Sequence, residues 1–142
     1  MGSAKLINEK NEIMESLVIK PTSESLMVSL ESGLLEFSGR SIPEDPLKLF
    51  VPIIEWVEKY IQDPAPSTKI NLKFEYINTS SSKFILTILE ILNKAYDENE
   101  KNMSINWSYE IGDDDMYELG KFIESMIKIP MNYIEVEETV EY

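Results

Sequence analysis

The sequence contains neither cysteine nor histidine. Disulfides, thiolate nucleophiles, imidazole bases and the usual zinc ligands are therefore missing from its chemical inventory. Positive charge is also scarce: 13 Lys plus Arg stand against 26 Asp plus Glu, a formal charge of −13. Such a surface repels phosphate backbones and anionic head groups, so neither nucleic acid nor membrane insertion is expected. No apolar run approaches the roughly 20 residues of a membrane span, and the start lacks the basic-then-apolar order of a secretory signal. A cytoplasmic protein is the simplest expectation. The glycine spacing of a phosphate-binding loop is absent too, and no cofactor is expected. What is present suffices for one core: 142 residues, 43% hydrophobic and 10% aromatic, fit a single domain.

Residues 1–24 read as a polar N-terminal extension, whose opening MGSAK is compatible with a cloning scar. In LMVSLESGLLEF, Leu26 to Phe37, two apolar-rich runs flank a Gly-containing turn, the pattern of a hairpin. Asp45 as N-cap and Pro46 at the first helical position then open a helix with a stripe of Leu47, Phe50, Ile54, Val57 and Ile61, ending near Pro64. Pro52 lies inside it and predicts a kink or a late start. Ile70, Leu72, Phe74 and Tyr76 alternate with polar residues as a strand with one buried face. Phe84, Ile85, Ile88, Leu89, Leu92 and Tyr96 return to helical spacing, and MSINWSYE alternates again. DDDMYELGKFIESMI restarts a helix, and MNYIEVEETVEY reads as a short edge strand followed by an acidic tail, residues 135–142. Strands separated by helices favour parallel neighbours joined by right-handed crossovers. The expected fold is thus α/β: a mixed, mostly parallel sheet of four to five strands with an N-terminal hairpin and helices mainly on one face.

The stretch YINTSSSK, Tyr76 to Lys83, crowds four hydroxyls at a strand-to-helix junction. Asn, Ser and Thr cap helices by accepting hydrogen bonds from the first unpaired amides, but one residue is enough for that. The same helix end favours an anion, either bound or attached to a hydroxyl. A phosphate there adds about −1.5 to −2 charges and rewrites the local docking surface. The cluster therefore reads as capping or as a phosphorylation switch.

The segments SGRSIPEDPLKLFVPIIEWVEKY, EYINTSSSKFILTILEIL and INWSYEIGDDDMYELGKFIE resemble the SiaC family of bacterial regulatory phosphoproteins, with NTSS-x-K as the most specific element. The resemblance implies a STAS-like domain, placed at residues 25–134, with the fold of anti-anti-sigma factors and a phospho-acceptor at the start of a helix that follows a central strand. It further implies a partner-switching protein without catalytic activity. A kinase of the anti-sigma-factor type phosphorylates the family's threonine, a PP2C-type phosphatase reverses it, and the unmodified form activates a diguanylate cyclase in cyclic di-GMP signalling. By the motif the acceptor is Thr79. Asn78, Ser80, Ser81 and Ser82 form the helix entrance, with Ser80 and Ser81 as caps, and Lys83 shapes the entrance or receives a partner carboxylate.

Arg40, in the loop Gly39 to Pro46, is a candidate phosphate grip near the helix entrance, or else a solvated turn residue. Asp113, Asp114 and Asp115 lack the alternation of a calcium loop and read as a capped helix start. Trp107 belongs to a core face, whereas Trp56 falls off the main helical stripe and is assigned either to a second apolar face or to a partner contact. The alternative function is a small hydrolase or lyase using Glu36, Glu44, Glu75 or Asp113, with Thr79 to Ser82 holding an anionic substrate.

Overall fold

The computed structural model describes residues 14–99 and 102–137. Six strands form one sheet in sequence order: β1 (Leu17–Ile19), β2 (Met27–Glu31), β3 (Leu34–Ser41), β4 (Ser67–Ile77), β5 (Asn102–Glu110) and β6 (Met131–Val136). The first two pairings are antiparallel and the remaining three parallel. Each parallel step needs a crossover, supplied by α1 (Pro46–Tyr60), α2 (Thr79–Asn99) and α3 (Asp114–Met126).

The sheet has one strand more than the upper expectation. β1 arises inside the stretch read as an extension, where Leu17 and Ile19 sit opposite Leu30 and Val28 and pack on the core. Residues 1–13 of that extension lie outside the described residues. At the other end β6 runs through Val136, so the folded part reaches into the stretch read as tail, and residues 138–142 again lie outside the described residues.

One apolar core fills the space between sheet and helices, with Val28, Phe37, Leu72 and Trp107 from the strands meeting Phe50, Ile53, Ile85, Leu89 and Ile123 from the helices. The opposite sheet face is polar. Across it the register aligns Glu36, Asn71, Asn106 and Asn132 on four strands. Asn132 donates to Asn106 (3.3 Å), Asn106 to Asn71 (2.9 Å) and Asn71 to Glu36 (3.3 Å). These bonds satisfy part of each amide without burying it, which suits a face left to solvent.

Buried polar groups are paired where the chain turns. The Tyr60 hydroxyl accepts from the amides of Gly33 and Ala65 (both 3.1 Å) and lies 2.7 Å from Thr68 Oγ1. With two amides pointing at its oxygen, its own proton goes to Thr68. This one group ties the β2–β3 turn, the end of α1 and the start of β4, and Gly33 takes φ 90° there to close the turn.

Trp107 is fully buried, meets Phe74 edge-on at 5.7 Å and donates to Met116 O (3.0 Å). Gly120 of α3 lies flat against its indole, and a Cβ there would stand 2.6 Å from Nε1. Overpacking a core costs about 1–3 kcal/mol, while Ala regains about 1 kcal/mol over Gly in a helix. Gly120→Ala is therefore expected to lose up to about 2 kcal/mol net. Urea titration checks this through a lowered midpoint at unchanged m value; a stabilised variant would show that α3 slides freely over the ring.

Two expected side-chain placements differ, and one open alternative is decided. Leu47 is 60% exposed, and α1 instead buries Leu49, Phe50, Ile53, Trp56, Val57 and Tyr60, because the face toward the sheet lies further round the helix. Trp56 is buried, stacks on Tyr60 (5.1 Å) and donates to Glu15 O (2.7 Å), so the residue left between two assignments is a core residue. Tyr76 is 48% exposed, although it continues the alternation of Ile70, Leu72 and Phe74. The register explains it: Gly39 pairs with Phe74 but Arg40 with Tyr76, so Glu75 is an extra residue in β4. A bulge of this kind reverses which face the following side chains occupy. Pro52 does not delay the helix, which spans Pro46–Tyr60, and the proline is on its exposed side.

Candidate functional site

The end of β4 and the start of α2 bring the hydroxyl cluster to the carboxyl edge of the parallel strands, where crevices and functional groups of α/β folds concentrate. Asn78 is the N-cap. Its Oδ1 accepts from the Ser81 amide (2.9 Å) and its carbonyl from the Ser82 amide (2.9 Å). The expected capping role of Ser80 and Ser81 thus belongs to the residue before Thr79, whose side chain reaches the third helical amide with the usual geometry.

Each hydroxyl then has a different fate. Ser81 is completely buried. Its Oγ receives the Ser41 hydroxyl proton (2.8 Å) and donates to Ser41 O (3.2 Å), while the Asn78 amide donates to the same carbonyl (3.0 Å). These three bonds lash the end of β3 to the entrance of α2, so Ser81 is a tether and not part of an accessible surface. Ser80 donates to Asn78 Oδ1 (3.3 Å) and Ser82 to Thr79 O (2.8 Å), both local bonds. Thr79 stands at the first helical position, exposed, and its hydroxyl makes no hydrogen bond among the described residues. Helix geometry leaves the Thr79 and Ser80 amides without intrahelical partners, and they add partial positive charge beside that hydroxyl.

Asn78→Ala is accordingly expected to destabilise the domain by about 1 kcal/mol, the usual cost of losing a cap, whereas Thr79→Ala stays within about 0.5 kcal/mol. Paired thermal and urea melts test the contrast. Equal losses for the two variants would mean that Thr79, too, holds the helix start.

Lys83 is exposed one turn after Thr79 on α2. Arg40, the chain's only arginine, is the penultimate residue of β3, beside this junction. Its neighbour Ser41 faces α2, so Arg40 points the other way, with its guanidinium carbon 5.6 Å from the centre of the Tyr76 ring. That distance allows a cation–π contact. The structure therefore brings Arg40 to the entrance by backbone while parking its side chain on Tyr76.

The carboxylates offered for an enzymatic reading are dispersed. Glu36 takes its hydrogen bond on the open sheet face, and Asp113 caps α3 by accepting from Met116 N (3.0 Å), with Asp114 and Asp115 in the first turn. Concavities of about 460 Å³, on the open face around Lys73, and about 480 Å³, around Met14 and Glu31, are not lined by any of Thr79 to Ser82. Among the described residues no helix is long and apolar enough to cross a membrane.

Local pattern pointed to the helix entrance, and the family resemblance singled out Thr79 and Lys83 within it. Sequence reasoning missed Ser41, which lies 40 positions from Ser81, and it missed the exposure of Tyr76. No local signal marks a hydrogen bond between distant serines, and Ser41 stood inside the stretch read as the loop Gly39 to Pro46, whereas β3 runs through it.

Fold and site together define a class: a two-layer α/β domain that presents a helix entrance with one unengaged threonine hydroxyl. The chain belongs to the SiaC family, since the family described as SiaC family regulatory phosphoprotein matches residues 19–136. An uncharacterised protein of Pseudomonas aeruginosa (strain UCBPP-PA14) is 32% identical over 91 residues, covering 64% of this chain and 71% of the relative. The crystal structure of apo-SiaC from Pseudomonas aeruginosa is similar at 27% identity with a TM-score of 0.76, covering 85% of this chain and 99% of that one. SiaC in the crystal structure of the diguanylate cyclase SiaD in complex with its activator SiaC, from the same organism, is similar at 27% identity with a TM-score of 0.78, covering 84% and 99%.

Proposed function

We propose that this protein is a cytoplasmic, non-enzymatic partner-switching regulator whose state is set by reversible phosphorylation of Thr79. One observation carries the reading: of the four clustered hydroxyls, Thr79 alone is both exposed and without a hydrogen bond among the described residues, while Ser80, Ser81 and Ser82 are engaged. A kinase of the anti-sigma-factor type adds the phosphate and a PP2C-type phosphatase removes it. The unmodified form binds and activates an effector, a diguanylate cyclase, as supported by the complex of SiaD with its activator SiaC.

The chemistry is local. A phosphate at the first helical position sits where free amides and the macrodipole favour negative charge, so the modification preserves the fold. At physiological salt the screening length is about 8 Å, and two charges added to −13 act on contacts beside residue 79 more than through net charge. Asn78, Ser80, Ser82 and Lys83 form the partner-facing entrance. Arg40 is its second cation, available to a phosphate or to a partner once it leaves Tyr76.

Intact-mass and peptide mass spectrometry on protein from its own cells, with and without PP2C-type phosphatase, tests the reading. A removable phosphate on Thr79 is the expected result. Its absence under every growth condition in which the cognate kinase is active would overturn the switch.

A further inference from the structure

We infer that Ser41, the last residue of β3, is a positioning residue for phosphoryl transfer to Thr79, acting through Ser81 and Asn78. The inference rests on the proposed switch and adds to it the group that holds the acceptor in place. Thr79 starts α2, where neither its own amide nor that of Ser80 has an intrahelical acceptor, so the first turn does not hold itself. The hold comes from β3. On one side of Thr79 the Asn78 amide donates to Ser41 O (3.0 Å); on the other, Ser81 Oγ donates to the same carbonyl (3.2 Å) and accepts from the Ser41 hydroxyl (2.8 Å). Asn78 Oδ1 takes the Ser81 amide (2.9 Å) and closes the span. Thr79 and Ser80 thus form an arch with both feet on one residue. That residue is itself fixed: Ser41 pairs with Ile77 in the sheet, and the next amide, of Ile42, donates to Glu24 O (2.8 Å). Ser41 and Ser81 are both fully buried, so water does not compete for these bonds.

Phosphoryl transfer is demanding about this placement. Thr79 Oγ1 must meet the γ-phosphorus of ATP held by the kinase: the Oγ1–P bond forms, the bond from phosphorus to the bridging oxygen breaks, ADP leaves with that electron pair, and the hydroxyl proton passes to a base of the kinase. The reacting atoms must come within about 3–3.5 Å, and a misplacement of about 1 Å costs about a hundredfold in rate. The Thr79 hydroxyl has no hydrogen bond among the described residues to orient it, and it branches directly from Cβ. Its position therefore follows the backbone of residue 79, which the arch sets. Ser41 is buried away from ATP and kinase alike, so its effect on the reaction runs through the arch.

Steady-state phosphorylation by the cognate kinase and ATP tests the assignment on wild type, Ser41→Ala, Ser81→Ala and the double variant, each kept folded well below its melting temperature. Ser41→Ala removes one hydroxyl and keeps the carbonyl that holds Asn78 and Ser81. It is expected to lower kcat/KM about tenfold, through kcat, with KM within about twofold. Ser81→Ala removes both side-chain bonds to Ser41 and is expected to lose about thirtyfold. The double variant is expected to be no slower than Ser81→Ala, because the two hydroxyls act as one unit. Gly120→Ala, destabilised at a place remote from the entrance, serves as the control and is expected to keep the wild-type rate. Equal kcat for Ser41→Ala and wild type would overturn the positioning role and leave the switch standing. A raised KM at unchanged kcat, additive losses in the double variant, or a rate loss in Gly120→Ala as large as that of Ser41→Ala would each overturn it as well. No transfer to Thr79 of the wild type would overturn the switch and this inference with it.

Discussion

Phosphorylation of Thr79 is expected to weaken the effector complex by about a hundredfold, while thermal stability changes little. The two halves of this result have separate causes. In the free domain the added phosphate meets unpaired amides and a helix dipole and remains in water, which is favourable or neutral. In the complex it must be covered by the partner, and an uncompensated charge at a desolvated contact costs about 3 kcal/mol or more, equivalent to the hundredfold loss. Thr79→Glu is expected to give a smaller loss, about tenfold, because one planar carboxylate imitates only part of a phosphate's charge and acceptors. Thr79→Ala is expected to bind as wild type and to resist the kinase. Titration of the cyclase with the three proteins measures all of this. Equal affinity for wild type, phosphoprotein and glutamate variant would remove Thr79 from the effector surface.

Trp107→Ala is expected to have the largest effect on the fold. Truncating a buried Trp costs about 3–5 kcal/mol, and here the lost ring also takes its N–H from the Met116 carbonyl and empties the space under Gly120. Against a domain stability of roughly 5 to 15 kcal/mol this is a large share. At about 2–4 °C per kcal/mol the melting temperature falls by roughly 10 °C. Trp107→Phe keeps most of the apolar volume and is expected to recover more than half of the loss. Thermal and urea unfolding decide it: a loss below about 1 kcal/mol would mean that α3 does not depend on this ring. Because Trp107 is distant in sequence from the helix entrance and buried, the surviving folded fraction should still accept phosphate on Thr79.

Much of the architecture was legible because it repeats locally. Alternation in β4 and β5, helical spacing in α2 and the Asp-Pro start of α1 each arise from a few consecutive residues whose apolar atoms must face one way. Legibility ended where one inserted or distant residue changes the outcome. The bulge at Glu75 turned Tyr76 out of a face that its spacing assigned to the core. The stripe through Leu47 was off by part of a turn, because the direction of the sheet is set by packing against β3 and β4 and not by α1 itself. Trp56 stood between a second apolar face and a partner contact, and packing with Glu15 and Tyr60 decided for the apolar face.

The helix entrance shows the same division. Four hydroxyls in a row announced a helix start and a place for an anion, and the NTSS-x-K element pointed to the family and to Thr79. Which hydroxyl does which task was not written there. Asn78 became the cap, Ser81 the buried tether to Ser41, and Thr79 the free group, because the end of β3 arrives on one side of α2 only.

What the sequence determined alone is therefore what neighbouring residues impose on one another: the absence of Cys and His chemistry, the excess of acidic residues, the element types, and the strand-to-helix junction that carries the hydroxyl cluster. Tertiary structure alone decided which of those residues are accessible, since burial and hydrogen bonding at Ser81, Tyr76 and Leu47 depend on atoms brought from remote strands and helices, and pairings between remote residues leave no periodic trace in the chain.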